Sequence, residues 1–214
     1  MPEKILVFGA HPDDQVFGPG GTLIKYAREG KEILIVTFSK GDATHPWLKE
    51  DVIIDIRKKE NEKVNKVIGI TNTIYLGLKD NFIAKEAKET NIIEKVKDII
   101  REFKPNKIFT HTAFDPYPDH KAVHKIIVEA FDEIQPDSDL YTFDVWNPLN
   151  TKGTNHPKLV VDISKTFKKK VQALKAFKSQ QAALLSLLWS VYFRAIHAGL
   201  KNHYKYAEVF YKIR

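Results

Sequence analysis

Apolar residues in this chain fall into short continuous runs separated by longer stretches with a helical repeat. "KILVFG" and "EILIVTF" are unbroken apolar segments of strand length, which predicts strands buried on both faces. Between them the pattern changes to a helix from Gly20 to Glu29, ended by Gly30. The alternation continues with a helix from about Asp51 to Ile68 before the strand "NTIYLGL", and with a helix from Thr90 to Phe103 before "KIFTHT". Pro105-Asn106 breaks the chain between those last two elements. A helix from Asp119 to about Glu133 then leads to "DLYTFDVW"; "KLVVDI" reads as a further strand and Lys165 to Ser179 as a helix.

Buried strands alternating with helices predict an α/β protein: a three-layer, Rossmann-like fold whose mostly parallel sheet is flanked by helices on both faces. With 214 residues and no linker, repeat or low-complexity segment, residues 1–214 are read as a single domain. Open sheets of this kind bind ligands beyond the carboxyl ends of their strands. Three polar loops lie there: "AHPDD" after the first strand, "SKGDATHP" after the second and "HTAFDPYPDH" after the fourth.

The glycines of "GPGG", just after the first of these loops, raise the possibility of a phosphate-binding turn. Neither the G-x-G-x-x-G spacing nor a G-K-[ST] ending is present, so Gly18, Gly20 and Gly21 are read as turn and packing residues. The acidic part of the same stretch offers different chemistry. Pro12 biases His11 toward extended backbone, and Asp14 follows on the next turn, so one nitrogen and one oxygen ligand can meet a single ion. With no cysteine in the chain, a metal must be held by His, Asp or Glu. Catalytic zinc takes three protein ligands and leaves one position open, so a third ligand is expected from another loop. His120 and His124, four apart at the start of a helix, each qualify, with Asp115 and Asp119 close by.

The formal charge of +7 comes largely from lysines interspersed with Glu and Asp, and no nucleic-acid-binding motif accompanies it, so no nucleic-acid partner is expected. No apolar leader follows Met1, which predicts a cytoplasmic address. The longest apolar stretch, Ala182 to Phe193, is too short for a bilayer, which needs about 20 apolar residues. It is read as a buried helix, an oligomer contact or a lid. A membrane contact through residues 184–193 is kept as the minor alternative.

These residues also carry a resemblance. "AHPDDQVFGPGGTL" resembles the A-H-P-D-D-E-x-x-x-G-G-T-L signature of the LmbE-like (PIG-L) zinc-dependent N-acetylglucosamine deacetylases, and "DPYPDH" that family's D-x-H-P-D-H motif. "IRKKEN", "YLGLKD", "KSQ" and "YAEVF" extend the likeness over about 200 residues. The resemblance implies His11, Asp14 and His120 as Zn2+ ligands, Asp13 as general base toward a zinc-activated water, Asp119 orienting an imidazole, and Arg57 as a substrate contact. His124 becomes a neighbour. The implied reaction removes the N-acetyl group from an N-acetylglucosamine-containing sugar or conjugate and releases acetate. The implied partner is a small N-acetylated amino sugar, and the implied assembly a homo-oligomer. The alternative is a zinc- and sugar-binding family member with weak or different amidase activity.

Two positions depart from the pattern. Tyr117 stands where the family has a histidine that donates to the developing oxyanion; that role passes to zinc, to the uncharged Tyr117 hydroxyl, or to His197 or His203. Gln15 stands where the family has Glu, so a negative charge expected beside Asp13 is missing. Trp47, Tyr117 and Trp146 are candidates for stacking on a sugar ring, with a core position the simpler expectation for Trp146.

Overall fold

A computed structural model describes residues 2–42, 49–70, 72–147 and 156–214. Its strands are β1 (Lys4–Gly9), β2 (Glu32–Ser39), β3 (Asn72–Leu78), β4 (Lys107–His111), β5 (Asp139–Phe143), β6 (Lys158–Asp162) and β7 (Ala207–Lys212). The helices are α1 (Asp14–Phe17), α2 (Gly20–Arg28), α3 (Glu50–Ile68), α4 (Ile83–Glu89), α5 (Ile92–Phe103), α6 (Pro118–Ile134), α7 (Phe167–Leu174) and α8 (Gln181–Lys201), with a short 3-10 turn at Lys178–Gln180. The strands form one sheet in the order β3-β2-β1-β4-β5-β7-β6. The first five are mutually parallel, while β7 runs antiparallel between β5 and β6.

Alternation along β1 explains the three layers. Ile5 and Val7 join one buried cluster with Leu23, Ile24, Val64, Val171 and Leu187, so α2, α3, α7 and α8 cover that face. Leu6 and Phe8 point the other way, into a cluster with Ile83, Val96, Ile100, Val123 and Ile127 from α4, α5 and α6. The apolar run is needed because both faces of the strand are inside.

Three boundaries differ from the sequence reading. The helix expected from Lys165 to Ser179 stops at Leu174, because Phe177 leaves helical geometry (φ −77°, ψ 77°) and buries its ring. Asn91 takes a left-handed conformation (φ 50°) between α4 and α5. β7 was not expected from the apolar pattern: the chain turns back after α8 with His203 left-handed (φ 61°) and slots between two strands far away in sequence.

The glycine question resolves at the junction of α1 and α2. The Glu208 carboxylate of β7 accepts the first-turn N–H groups of α2, from Gly21 at 2.9 Å and Thr22 at 2.8 Å, together with the Thr22 hydroxyl at 2.6 Å. The helix terminus that might have received a phosphate is occupied by this chain's own anion. Gly18 and Gly21 are packing residues: a Cβ on Gly18 would lie 2.3 Å from the Phe143 ring, and one on Gly21 2.8 Å from Ile163.

The strand order reverses its direction of growth at β1 and β4, with β2 and β3 on one side and β5 on the other. A cleft opens at such a switch point, beyond the carboxyl ends of the two central strands. The loop after β1 and the loop after β4 meet there.

Candidate active site

β1 ends at Gly9, and the next residues turn across the sheet edge into α1, so His11, Asp13 and Asp14 leave the strand at its carboxyl end. α6 begins at Pro118, which fits the first turn because no N–H is required there; Asp119 and His120 follow in that turn. The donor atoms of His11, Asp14 and His120 lie within 4.8 Å of one another. The sequence candidates thus converge, while His124 turns away and its Nδ1 meets the His111 carbonyl at 2.8 Å.

Each candidate imidazole is backed by a carboxylate. His11 Nε2 lies 3.3 Å from Asp119 Oδ2, and that oxygen also accepts the Asn81 N–H at 2.7 Å. His120 Nδ1 lies 3.1 Å from Asp115 Oδ1 and Nε2 3.4 Å from Asp14 Oδ1, and neither nitrogen makes a hydrogen bond of good geometry among the described residues. Asp115 is fully buried and also accepts N–H groups from Tyr117, Val145 and Trp146. One carboxylate therefore fixes an imidazole and joins the loop after β4 to the chain after β5. Carboxylate-backed histidines at a shared focus are what a metal site requires.

His111 completes the floor. Its ring stacks on His120 at 3.9 Å and 15°, and its Nε2 accepts the Ala10 N–H at 3.1 Å while lying 3.1 Å from Asp14 Oδ2. Burial, reinforced by His120, pulls the His111 pKa down to about 4, so the ring is neutral at pH 7. His111, Asp115 and His120 also form a close group, but it shares His120 with the first and belongs to the same centre.

Opposing effects act on the other groups. Burial disfavours charge on His11, yet Asp119 and Asp14 outweigh it and raise the pKa to about 10; for His120 burial is outweighed by Asp14 and Asp115, giving about 9. Burial would raise Asp14, but His120 and His111 hold it well below the usual carboxylate range. Asp13 goes the other way: burial lifts it, with Arg57 partly opposing and Asp14 adding. Two neighbouring carboxylates are thereby separated, one suited to bind a cation and the other to exchange protons.

Arg57, which the resemblance implies as a substrate contact, is buried. Its Nη1 donates to Asp80 Oδ2 at 3.2 Å, and its Nη2 lies 3.9 Å from Asp13 Oδ1. The acidic residues near it on α3 pair elsewhere: Asp55 binds Lys59, and Glu60 accepts Ser179 of the "KSQ" segment. His11, Asp13, Asp14, Arg57 and Asp80, with Tyr117, Asn81, Trp146, Gln180 and Leu187, line a cavity of about 190 Å³.

Tyr117 and Trp146 lie nearly parallel, 6.1 Å apart and 20° between ring planes, so Trp146 serves both the core and the cavity wall. The Tyr117 hydroxyl donates to Asn81 Oδ1 at 3.0 Å. His197 lies outside this cleft, on the wall of another cavity, and His203 sits in the turn after α8. Trp47 lies outside the described residues.

Gln15 does not face Asp13. Its amide donates to Asn61 Oδ1 at 2.6 Å, Asn65 Oδ1 at 3.2 Å and the Pro12 carbonyl at 3.2 Å, tying the site loop to α3. Gln15→Glu offers no donor to these three oxygens, and even with both asparagine amides turned over the Pro12 carbonyl still faces a carboxylate. The substitution is expected to cost about 1–3 kcal/mol in denaturant unfolding and to leave the pH profile nearly unmoved. A displaced acidic limb with native stability would return Gln15 to the proton-transfer machinery.

With the geometry in place, the comparisons are informative. The family model described as PIG-L, GlcNAc-PI de-N-acetylase, matches residues 6–131. The chain belongs to the PIG-L family. That match contains both site loops and α3. A probable N-acetyl-alpha-D-glucosaminyl L-malate deacetylase 2 of Bacillus cereus is 27% identical over 209 residues, covering 94% of this chain and 91% of the relative. Among solved structures, the N,N'-diacetylchitobiose deacetylase of Pyrococcus horikoshii superposes with TM-score 0.80 at 23% identity, over 99% of this chain and 84% of that one. The 4-carboxy-2-hydroxymuconate hydratase GalB of Pseudomonas putida superposes with TM-score 0.79 at 20% identity, over 99% and 96% of the two chains. One PIG-L-like fold thus carries both a hydrolase and a hydratase, so the reaction has to be argued from the site.

Proposed function

We propose that this chain is a zinc-dependent hydrolase that removes the N-acetyl group from an N-acetylglucosamine unit of a small sugar or conjugate, with His11, Asp14 and His120 holding the metal. The observation that carries the reading is the buried His-Asp-His focus with a carboxylate behind each imidazole and Asp13 beside it. The unpartnered Nε2 of buried His120 fits a cation better than a hydrogen-bonded core. Relatives named as glucosaminyl deacetylases support the substrate class.

Bound there, zinc would supply Lewis acidity toward the amide carbonyl and lower the pKa of a water. The chain's own groups do the rest. Asp13 receives the proton of the attacking water and delivers it to the nitrogen as the C–N bond breaks, so the water oxygen leaves in acetate and the sugar keeps a free amine. Arg57 holds Asp13 and Asp80 in place by charge. Asp119 and Asp115 fix the two imidazoles. Tyr117 supplies the only hydroxyl among the described cavity-lining residues, and it serves as a neutral donor to the carbonyl oxygen when it exchanges its bond to Asn81. Its ring, with that of Trp146, forms the wall against which a sugar face stacks.

The test is acetate release from N-acetylglucosamine, its disaccharide, and its inositol and malate conjugates, with metal content measured on the same preparation. Acetate from at least one at stoichiometric zinc is expected. Zinc and sugar binding without acetate would replace the hydrolase with a binding protein.

The same reading includes self-association through α8. Leu185, Trp189, Phe193, Ile196 and Leu200 form one helical stripe, 79% exposed at Leu185 and 73% at Leu200. No helix among the described residues is long and apolar enough to cross a membrane. At ~150–250 Å² for a large apolar side chain the stripe offers ~600 Å² per copy. Pairing two copies buries ~1,200 Å², the lower limit of a specific interface. Leu185→Glu with Leu200→Glu is expected to convert an oligomer to monomer in light scattering. A monomeric native chain that floats with liposomes would instead make the stripe a lipid contact.

A further inference from the structure

A second cavity, larger than the proposed active site, lies elsewhere among the described residues. Between α8 and the β5-β7-β6 end of the sheet lies a space of about 450 Å³, more than twice the site cleft and within the size range of small-molecule pockets. Its inner end is apolar, lined by Phe17, Phe143, Val160, Val191 and Phe210. Its outer end carries Lys158, Arg194, His197 and Lys201 with the single carboxylate of Asp144, so cations are in excess there. The two charged groups in its floor cancel: Lys170 Nζ lies 2.7 Å from Glu208 Oε1 and also donates to the Phe17 and Gly18 carbonyls.

Arg194 has no such partner. Its Nη1 donates to the Asp144 carbonyl and its Nε to the Ser190 carbonyl at 3.4 Å, and among the described residues no carboxylate lies within salt-bridge distance of it. Burial lowers its pKa, and the carboxylates of Asp144, Glu208 and Asp115 oppose that lowering only from beyond salt-bridge distance. A half-buried guanidinium that makes no close ion pair keeps a planar fork that matches carboxylate and phosphate oxygens. A second, independent feature supports the same ligand: the apolar inner wall is continuous with the cationic mouth, so head and body are accommodated together.

We propose that this cavity binds a small organic anion with an apolar body, its carboxylate or phosphate group meeting Arg194, Lys158 and Lys201. The site is distinct from the metal centre, from which Phe17 separates it, since that ring lines both cavities.

Isothermal titration of the zinc-loaded full chain with octanoate and octyl phosphate tests the assignment, with octylamine as the cationic control. Both anions are expected to bind saturably, and octylamine at least tenfold more weakly; the stronger of the two anions identifies the preferred head group. Arg194→Gln is expected to weaken the anions at least tenfold. Because that half-buried change could disturb the fold, Lys158→Glu with Lys201→Glu at the exposed mouth repeats the test and should also cost at least tenfold. Asp13→Asn should bind as the native chain does. Equal binding of octylamine, or unaltered affinity in both cavity variants, would overturn the proposal. So would binding that disappears with His11→Ala, because the head group would then sit in the metal centre.

Discussion

Asp13→Asn is expected to retain its metal and to lose about 10²–10⁴-fold in kcat, the usual contribution of a positioned general base. The reasoning rests on how the two adjacent carboxylates are separated. Asp14 is surrounded by His11, His111 and His120, which keep it ionised for a cation. Asp13 is buried, lines the cleft and is lifted by that burial, with the Arg57 guanidinium 3.9 Å away limiting the rise. An amide keeps its size but cannot accept and return a proton. Native kcat/KM should fall as pH drops through the raised Asp13 pKa, and that acidic limb should vanish in Asp13→Asn. Metal content is the necessary control: a variant that keeps metal and loses turnover identifies a base, whereas one that loses both would show that Asp13 is a ligand. Activity within tenfold of native would remove Asp13 from the mechanism.

Much of this site can be read in the sequence because parallel sheets impose a simple rule. Loops after β1 and β4 must emerge on one rim, at the point where strand order reverses, so the strand assignments bring His11 and Asp14 to the segment carrying His120 and His124, and the family resemblance singles out His120. What local pattern does not encode is who answers whom across the fold. Asp115 is defined by N–H groups from Val145 and Trp146, some 30 residues away, and no spacing within "DPYPDH" announces that. His111 acquires its place from Ala10 on the neighbouring strand's end.

A weaker signal was present for Gln15 and Arg57. Arg57, Asn61 and Asn65 fall four apart on α3, on the side that also buries Ile53, Val64 and Ile68. Polar residues repeating on the inward stripe of a helix have to find partners inside, and these find Gln15, Asp80 and Asp13. Helical periodicity, which assigns polar positions to the solvent side, conceals that requirement. β7 escaped for a related reason: its place between β5 and β6 depends on pairing across about 70 and 50 residues of chain, to which a local apolar pattern is blind.

The largest stability effect is expected at Glu208, on that same strand. Its carboxylate satisfies two N–H groups and a hydroxyl at the start of α2 and neutralises Lys170, whose ammonium in turn caps the Phe17 and Gly18 carbonyls. Burial lowers the Lys170 pKa despite its partner, so desolvation outweighs the attraction, and the pair is better understood as fixing geometry than as a source of net stability. Removing half of it is another matter. Glu208→Ala leaves a buried cation and three donors unanswered and is expected to cost about 3–5 kcal/mol in denaturant unfolding, with Tm falling by roughly 10 °C. Lys170→Met combined with Glu208→Gln removes both charges while an amide oxygen still faces the α2 donors. The double variant should therefore be more stable than Glu208→Ala alone. The reverse order would mean that the charge pair itself, rather than the hydrogen bonds at the GPGG turn, holds the loop after β1 against α2 and β7.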